Sequence, residues 1–306
     1  MRKKQWIIII SVLLGCVWFI LQKNFCSYEL FKKSTYGMPA LIEMGQVDNL
    51  FIGSSMFRQG LDIQEMNKDL GHDSNYILAY NGNQPIWEYM QLCYLINNGV
   101  KINSLYVDMY VYSAWEAPEL EDEKMFLELD YANKKWVYDK LPKDNLIKDW
   151  WQLWVSSNNE MIFFWPIYTH LVNTQFYQGG ALNNAQAATF EQLETQTVYS
   201  IKGEMNTIQK EYLERIIDIC KENSITLTFV ETPKYYTIQN DNEYKNAMQE
   251  YRDFLTGEDI PMVSVKGKFD GMEATFFQDI VHLSSDGRRE FTRMLCSELK
   301  RHMGGK

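Results

Sequence analysis

The sequence predicts an α/β protein: a doubly wound, flavodoxin-like parallel sheet flanked by helices, with an aromatic-rich helical insertion and one N-terminal transmembrane helix. Two observations predict the sheet. Short apolar runs that read as buried strands alternate with segments of helical periodicity, and strands joined by helices pair in parallel through right-handed crossovers. Those runs also stop at small or polar residues, as at Gly53-Ser54-Ser55. A charge-free apolar run near the N-terminus is the third observation, and it predicts the anchor.

The first element is that run. Arg2, Lys3 and Lys4 precede Trp6–Gln22, which contains no charge. Its length as a helix is roughly 26 Å at 1.5 Å per residue, close to the hydrocarbon core of a bilayer. Flanking cations stay on the cytoplasmic side. The chain therefore divides into a cytoplasmic stub (1–5), a signal anchor (6–22), a juxtamembrane linker (23–46) and an extracytoplasmic domain (47–306), which places the protein at the cell membrane as a single-pass chain. A cleaved signal peptide would show a shorter apolar stretch and a small-residue site, and none is seen. Leu13-Leu14-Gly15-Cys16 resembles a lipoprotein box, but the apolar run continues through Leu21 beyond that cysteine.

Within the domain, Val47–Ser55 reads as a buried strand, Asn75–Asn81 as a second, Pro85–Asn98 as an amphipathic helix and Ser104–Tyr112 as a third strand. Ile201–Asn223 has helical periodicity, Leu227–Glu231 is an apolar strand, Glu243–Leu255 a helix, Pro261–Val265 a short strand and Ser285–His302 a final helix. The alternation breaks between 115 and 200. That insertion carries Trp136, Trp150, Trp151, Trp154 and Trp165. Its aromatics either form the insertion's own core or line a groove for sugar rings or an acyl chain.

Composition narrows the function. A net charge of -10 argues against nucleic acid, whose phosphates require a basic surface. Five cysteines and four histidines are scattered without metal-ligand spacing, so no metal or other cofactor is implied. Cys93, Cys220 and Cys296 read as small apolar residues on buried helix faces. His72 reads as a turn residue, His170 as structural and His302 as a cation at a helix end. There is no Walker loop or dinucleotide fingerprint, and no Gly-x-Ser-x-Gly elbow around Ser55.

Ligands of doubly wound sheets sit beyond the carboxyl ends of the strands. Ser55 ends the first strand there; by itself, a serine in that place is more often an ordinary helix cap. Asp279-Ile280-Val281-His282 precedes the last helix. A serine hydroxyl becomes a nucleophile when a histidine takes its proton, and the imidazole needs an acceptor to fix its tautomer. Asp279 and His282 meet both needs on one short segment; the competing reading is a capping loop with a surface histidine.

A strand-ending Gly-x-Ser near the N-terminus, with Asp-x-x-His before a C-terminal helix, resembles the SGNH/GDSL hydrolase superfamily. Ser55 matches its nucleophile, with Ser54 where the family usually has Asp, and Asp279 and His282 match its last block. The Gly-Ser-Ser form, the single anchor and Thr232-Pro233 are closer to the branch of D-alanyl-lipoteichoic acid biosynthesis and alginate-acetylation proteins. That resemblance implies a serine-dependent esterase or O-acyltransferase on a cell-envelope glycopolymer or acyl carrier, alongside a membrane-bound O-acyltransferase. A non-catalytic accessory or glycopolymer-binding protein on the same scaffold is the alternative. The resemblance also implies oxyanion donors at the Ser55 backbone and at Gly82, with Asn83 standing in for a third-block asparagine that the Asp108–Ser113 region lacks.

Overall fold

The computed structural model describes residues 2–27, 37–118, 176–181, 184–265, 269 and 273–304. Most of the 115–200 insertion, including its five tryptophans from 136 to 165 and His170, lies outside the described residues, as does part of the 23–46 linker.

Helix α1 spans Arg2–Ser27. Its side chains are described for residues 4–18, where Trp6 through Ile10, Val12 to Leu14, Val17 and Trp18 stand exposed. Among the described residues, no helix is long and apolar enough to cross a membrane.

The domain proper opens with α2 (Met38–Met44), inside the segment read as linker. Met38 and Leu41 are fully buried, and the helix packs on the first strand and on α5 (Pro85–Asn97). The packed structure therefore begins about ten residues before the predicted boundary at 47.

Five strands form the central sheet: β1 (Gln46–Gly53), β2 (Asn75–Ala79), β3 (Lys101–Asp108), β6 (Thr226–Glu231) and β7 (Met262–Ser264), with β4 (Phe176–Tyr177) and β5 (Gly180–Ala181) as a separate small hairpin. The order β2-β1-β3-β6-β7 is parallel throughout. This is the flavodoxin-like order, with its switch point between β1 and β3. β1 is paired on both edges, Ile52 with Leu78 on one side and Val107 on the other, and Leu50, Phe51 and Ile52 are all buried, so both of its faces are covered. That explains why its sequence is continuously apolar rather than alternating.

Helices α3 (Ser55–Gly60), α4 (Ile63–Leu70), α6 (Val111–Trp115), α7 (Phe190–Glu194), α8 (Thr207–Glu222), α9 (Tyr236–Asn240), α10 (Asn242–Gly257) and α11 (Ser285–Gly304) complete the described structure. Two predicted elements have an end displaced by more than two residues. The strand expected over 104–112 ends at Asp108, and Val111–Trp115 turns into a short helix with every side chain buried. The residues after Asp108 bury both faces, so their apolar pattern suits either conformation. The helix expected from Ile201 starts at Thr207, because Asn206 caps it by accepting from the N–H groups of Ile208 (3.0 Å) and Gln209 (3.4 Å).

Cys220 and Cys296 are buried as expected, and burial pushes both thiols up to about 12. Cys93 is only partly buried. His72 sits in the turn after α4, 3.9 Å from Asp48. His302 lies within α11, and its side chain is outside the description.

Candidate active site

The carboxyl end of β1 is where the chain turns sharply into α3. Ser54 caps α3, its Oγ accepting from the Met56 N–H at 3.2 Å, which leaves Ser55 as the first helical residue. A carboxylate that the sequence reading did not single out holds this turn. Asp108, at the end of neighbouring β3, accepts from the Ser54 N–H at 2.9 Å and from the Ser54 hydroxyl at 2.6 Å, both on Oδ2. Gly53 is required beneath it: a Cβ there would meet the Asp108 carboxyl at 2.6 Å. Gly53 and Asp108 are thus two halves of one contact. The signal in the sequence was an Asp closing an apolar strand, a position where an unpaired carboxylate is costly.

Ser55 is 8% exposed, and its Oγ lies 2.8 Å from Nε2 of His282. The other ring nitrogen, Nδ1, lies 2.8 Å from Oδ2 of Asp279. The remaining Asp279 oxygen accepts from the backbone N–H groups of Val281 (2.8 Å) and His282 (2.7 Å). Burial pushes the Asp279 carboxyl up, but the hydrogen bond and charge of His282 and these two N–H groups outweigh it and hold the group below the usual carboxylate range. An ionised Asp279 accepts from Nδ1–H, and that tautomer leaves the Nε2 lone pair free to take the Ser55 proton. Ser55 and His282 are 227 residues apart in the chain, and the structure brings them together.

The loop carrying Asp279 and His282 is braced on several sides. Gln278 N–H donates to His282 O at 2.9 Å, Ile280 N–H to Gln196 Oε1 at 3.0 Å, and Tyr235 N–H to Ile280 O at 3.0 Å. Bracing of this kind keeps the imidazole orientation from depending on side-chain packing alone.

The predicted oxyanion donors divide. The Ser55 N–H lies in the first turn of α3, where helical N–H groups lack an intrahelical acceptor. Gly82 sits in the turn after β2 with φ 57°, and Tyr80 N–H donates to Gly53 O at 3.0 Å, drawing that turn against the end of β1. Asn83 is placed differently from the expectation. It is 2% exposed, and its Nδ2 donates to Gly53 O (3.1 Å) and Gln91 Oε1 (3.3 Å). With its amide hydrogens on those acceptors, Asn83 shapes the turn rather than offering a free side-chain donor.

Two further ionisable groups lie near the turn. Glu88, 4% exposed on α5, has its carboxyl pushed well above the usual range by burial and then by the Asp108 charge. Lys234, 2% exposed just after β6, is lowered to about 8 by burial, against the opposing pull of Asp108, Glu231 and Asp279. Among the described residues, no cluster of three or more His, Cys, Asp or Glu side chains could hold a metal ion.

Fold and site together define a class: doubly wound α/β proteins with a serine, a histidine and an aspartate in one hydrogen-bonded chain at the carboxyl edge of the sheet. Among solved structures, the chain is similar to a putative acylhydrolase from Bacteroides fragilis, at 9% identity and a TM-score of 0.41, over 83% of this chain and 87% of that one. It is also similar to a GDSL-like lipase from Bacteroides thetaiotaomicron, at 8% identity and a TM-score of 0.40, over 85% and 90% of the two chains. No protein family and no curated protein matches the chain.

Proposed function

We propose that this chain is an SGNH-type serine esterase or O-acyltransferase that acts on a cell-envelope glycopolymer, with Ser55 as nucleophile, His282 as general base and Asp279 as the group that orients it. The observation that carries the reading is the Ser55–His282–Asp279 chain, with both links at 2.8 Å. In the reaction His282 takes the Ser55 proton as Oγ attacks an acyl carbonyl, and the resulting imidazolium is stabilised by Asp279. His282 then returns the proton to the leaving alcohol. Water or a second hydroxyl, deprotonated by the same imidazole, then attacks the acyl carbon, and His282 returns that proton to Ser55 Oγ as the acyl–Oγ bond breaks. The Ser55 and Gly82 N–H groups are the oxyanion donors in this proposal.

The exposed apolar side chains of α1 support an anchor in the membrane; the domain outside it and a membrane-bound O-acyltransferase as partner belong to the proposal through the family resemblance alone. The anchor test is co-flotation of the full chain with liposomes, which should disappear when residues 1–27 are removed.

Catalysis is tested by treating the full chain in detergent with a fluorophosphonate probe. Labelling should occur and should vanish in Ser55→Ala and in His282→Ala. A folded native chain that stays unlabelled overturns the assignment of an activated serine. The commitment of Asn83 to Gly53 and Gln91 favours a second reading, in which the chain is a non-catalytic partner that presents the polymer. Co-purification with an acyltransferase, unaffected by Ser55→Ala and accompanied by no labelling, would favour that reading.

A further inference from the structure

A cavity of about 380 Å³ lies at the carboxyl ends of β6 and β7, the edge of the sheet where doubly wound folds bind ligands. Its walls are the turn after β6, one face of α10 and the residues following β7. Three cations line it, Lys234, Lys245 and Arg252, against the single carboxylate of Glu231. The Arg252 guanidinium donates to both oxygens of Glu231, at 2.7 and 2.8 Å, so that pair is neutral. Two ammonium groups remain.

Lys234 is the unusual one. It is 2% exposed, and its Nζ donates to Thr232 Oγ1 at 2.5 Å and to Thr232 O at 3.4 Å. Among the described residues, no carboxylate forms an ion pair with it. Asp108, Glu231 and Asp279 favour its charge only from beyond ion-pair distance, and an anion in the cavity would pair with it directly. Lys245 is at the rim, with Nζ on Asn240 O at 3.2 Å. In a chain of net charge -10 the overall field repels anions, so a local pair of cations is what allows one to bind.

We propose that this cavity is a binding site for an oxyanion, a phosphate or carboxylate group, held between Lys234 and Lys245, and that the group belongs to the substrate acylated or deacylated at Ser55. The two sites are joined structurally: Tyr235, next to Lys234, donates its N–H to Ile280 in the Asp279–His282 loop. From β1 to β6 is two strand spacings, roughly 10 Å, a distance that a chain of several bonds spans. Assignment of the anion to the substrate rests on the proposed role of Ser55, whereas anion binding itself does not.

The test is calorimetric titration of the full chain in detergent with inorganic phosphate and, separately, with acetate, at ionic strength matched with chloride. Saturable heat with either anion is expected, and the anion preferred identifies a phosphate or a carboxylate ligand. Binding should fall at least tenfold in Lys245→Glu, whose exposed position spares the fold, and in Lys234→Met, with folding checked by circular dichroism. It should persist in Ser55→Ala. Lys245→Glu should also lower kcat/KM for an acetylated sugar phosphate or sugar acid at least tenfold more than for the neutral acetylated sugar. No saturable heat with either anion, or undiminished binding in Lys245→Glu, overturns the site. Intact binding in a chain whose Ser55 is inert removes the acyl chemistry and the link to a substrate while leaving the anion site standing.

Discussion

Replacement of Asp108 by Asn tests whether the carboxylate under the Ser54–Ser55 turn is held there at a cost to stability. Burial raises the Asp108 carboxyl from 3.8 to about 6, against the opposing hydrogen bonds from Ser54 and the nearby Lys234 charge. A carboxyl whose folded value lies above its unfolded one favours the folded state most when protonated, at low pH. That contribution is lost as pH rises from the unfolded value through the folded one. The difference between the two values corresponds to about 3 kcal/mol. About 1 kcal/mol of it should already be lost at pH 4.5 and nearly all by pH 7.5, a change of about 2 kcal/mol between the two. Asn carries no such titration, yet its carbonyl oxygen can still accept from the Ser54 N–H and hydroxyl. Urea unfolding of both chains across this range should show the native chain losing about 2 kcal/mol relative to Asp108→Asn as pH rises. Parallel stability curves would refute the reasoning, because they would mean that Asp108 ionises without a desolvation penalty.

Other outcomes follow from the same geometry. Asp279→Asn preserves shape but presents an amide to Nδ1, so ester turnover should fall by roughly 10³–10⁴ while the urea midpoint moves little; a loss below tenfold would contradict the orienting role. Gly53→Ala places a Cβ 2.6 Å from the Asp108 carboxyl and should destabilise the fold by about 1–3 kcal/mol, the usual range for overpacking, measured by denaturant unfolding. Gln196→Ala removes the acceptor of the Ile280 N–H and should reduce turnover through a loosened Asp279–His282 loop, seen as a fall in kcat larger than any change in KM.

Much of the scaffold was legible because its signals are local. Apolar runs bounded by Gly, Ser and Asn marked β1, β2 and β6, and the final helix starts at Ser285 as its sequence indicated. Helix α4 was equally legible but overlooked: Asp62 accepts from the N–H groups of Gln64 and Glu65, both at 3.1 Å, and the Asp-x-x-Glu pattern is an N-terminal helix signature. Helix α2 lay in a segment read as linker because, among its described side chains, only Met38 and Leu41 are fully buried, too few to show a period. The end of β3 was misplaced for a physical reason: Met109–Tyr112 is apolar throughout, and periodicity cannot separate a buried strand from a buried helical turn.

By itself the sequence determined the alternating elements, the serine at the end of the first strand and the Asp279–His282 pair, whose three-residue spacing makes their contact local. Tertiary structure alone decided the rest. Sequence periodicity reports which face of an element is apolar, not which strands become neighbours. Only the strand order, with β1 beside β3 and β3 beside β6, puts Asp108 against Ser54. Only the return of the chain after β7 sets the His282 imidazole 2.8 Å from Ser55 Oγ. The same long-range packing closes Asn83 onto Gly53 and buries Lys234 beside a cavity, placements fixed by contacts that no local pattern encodes.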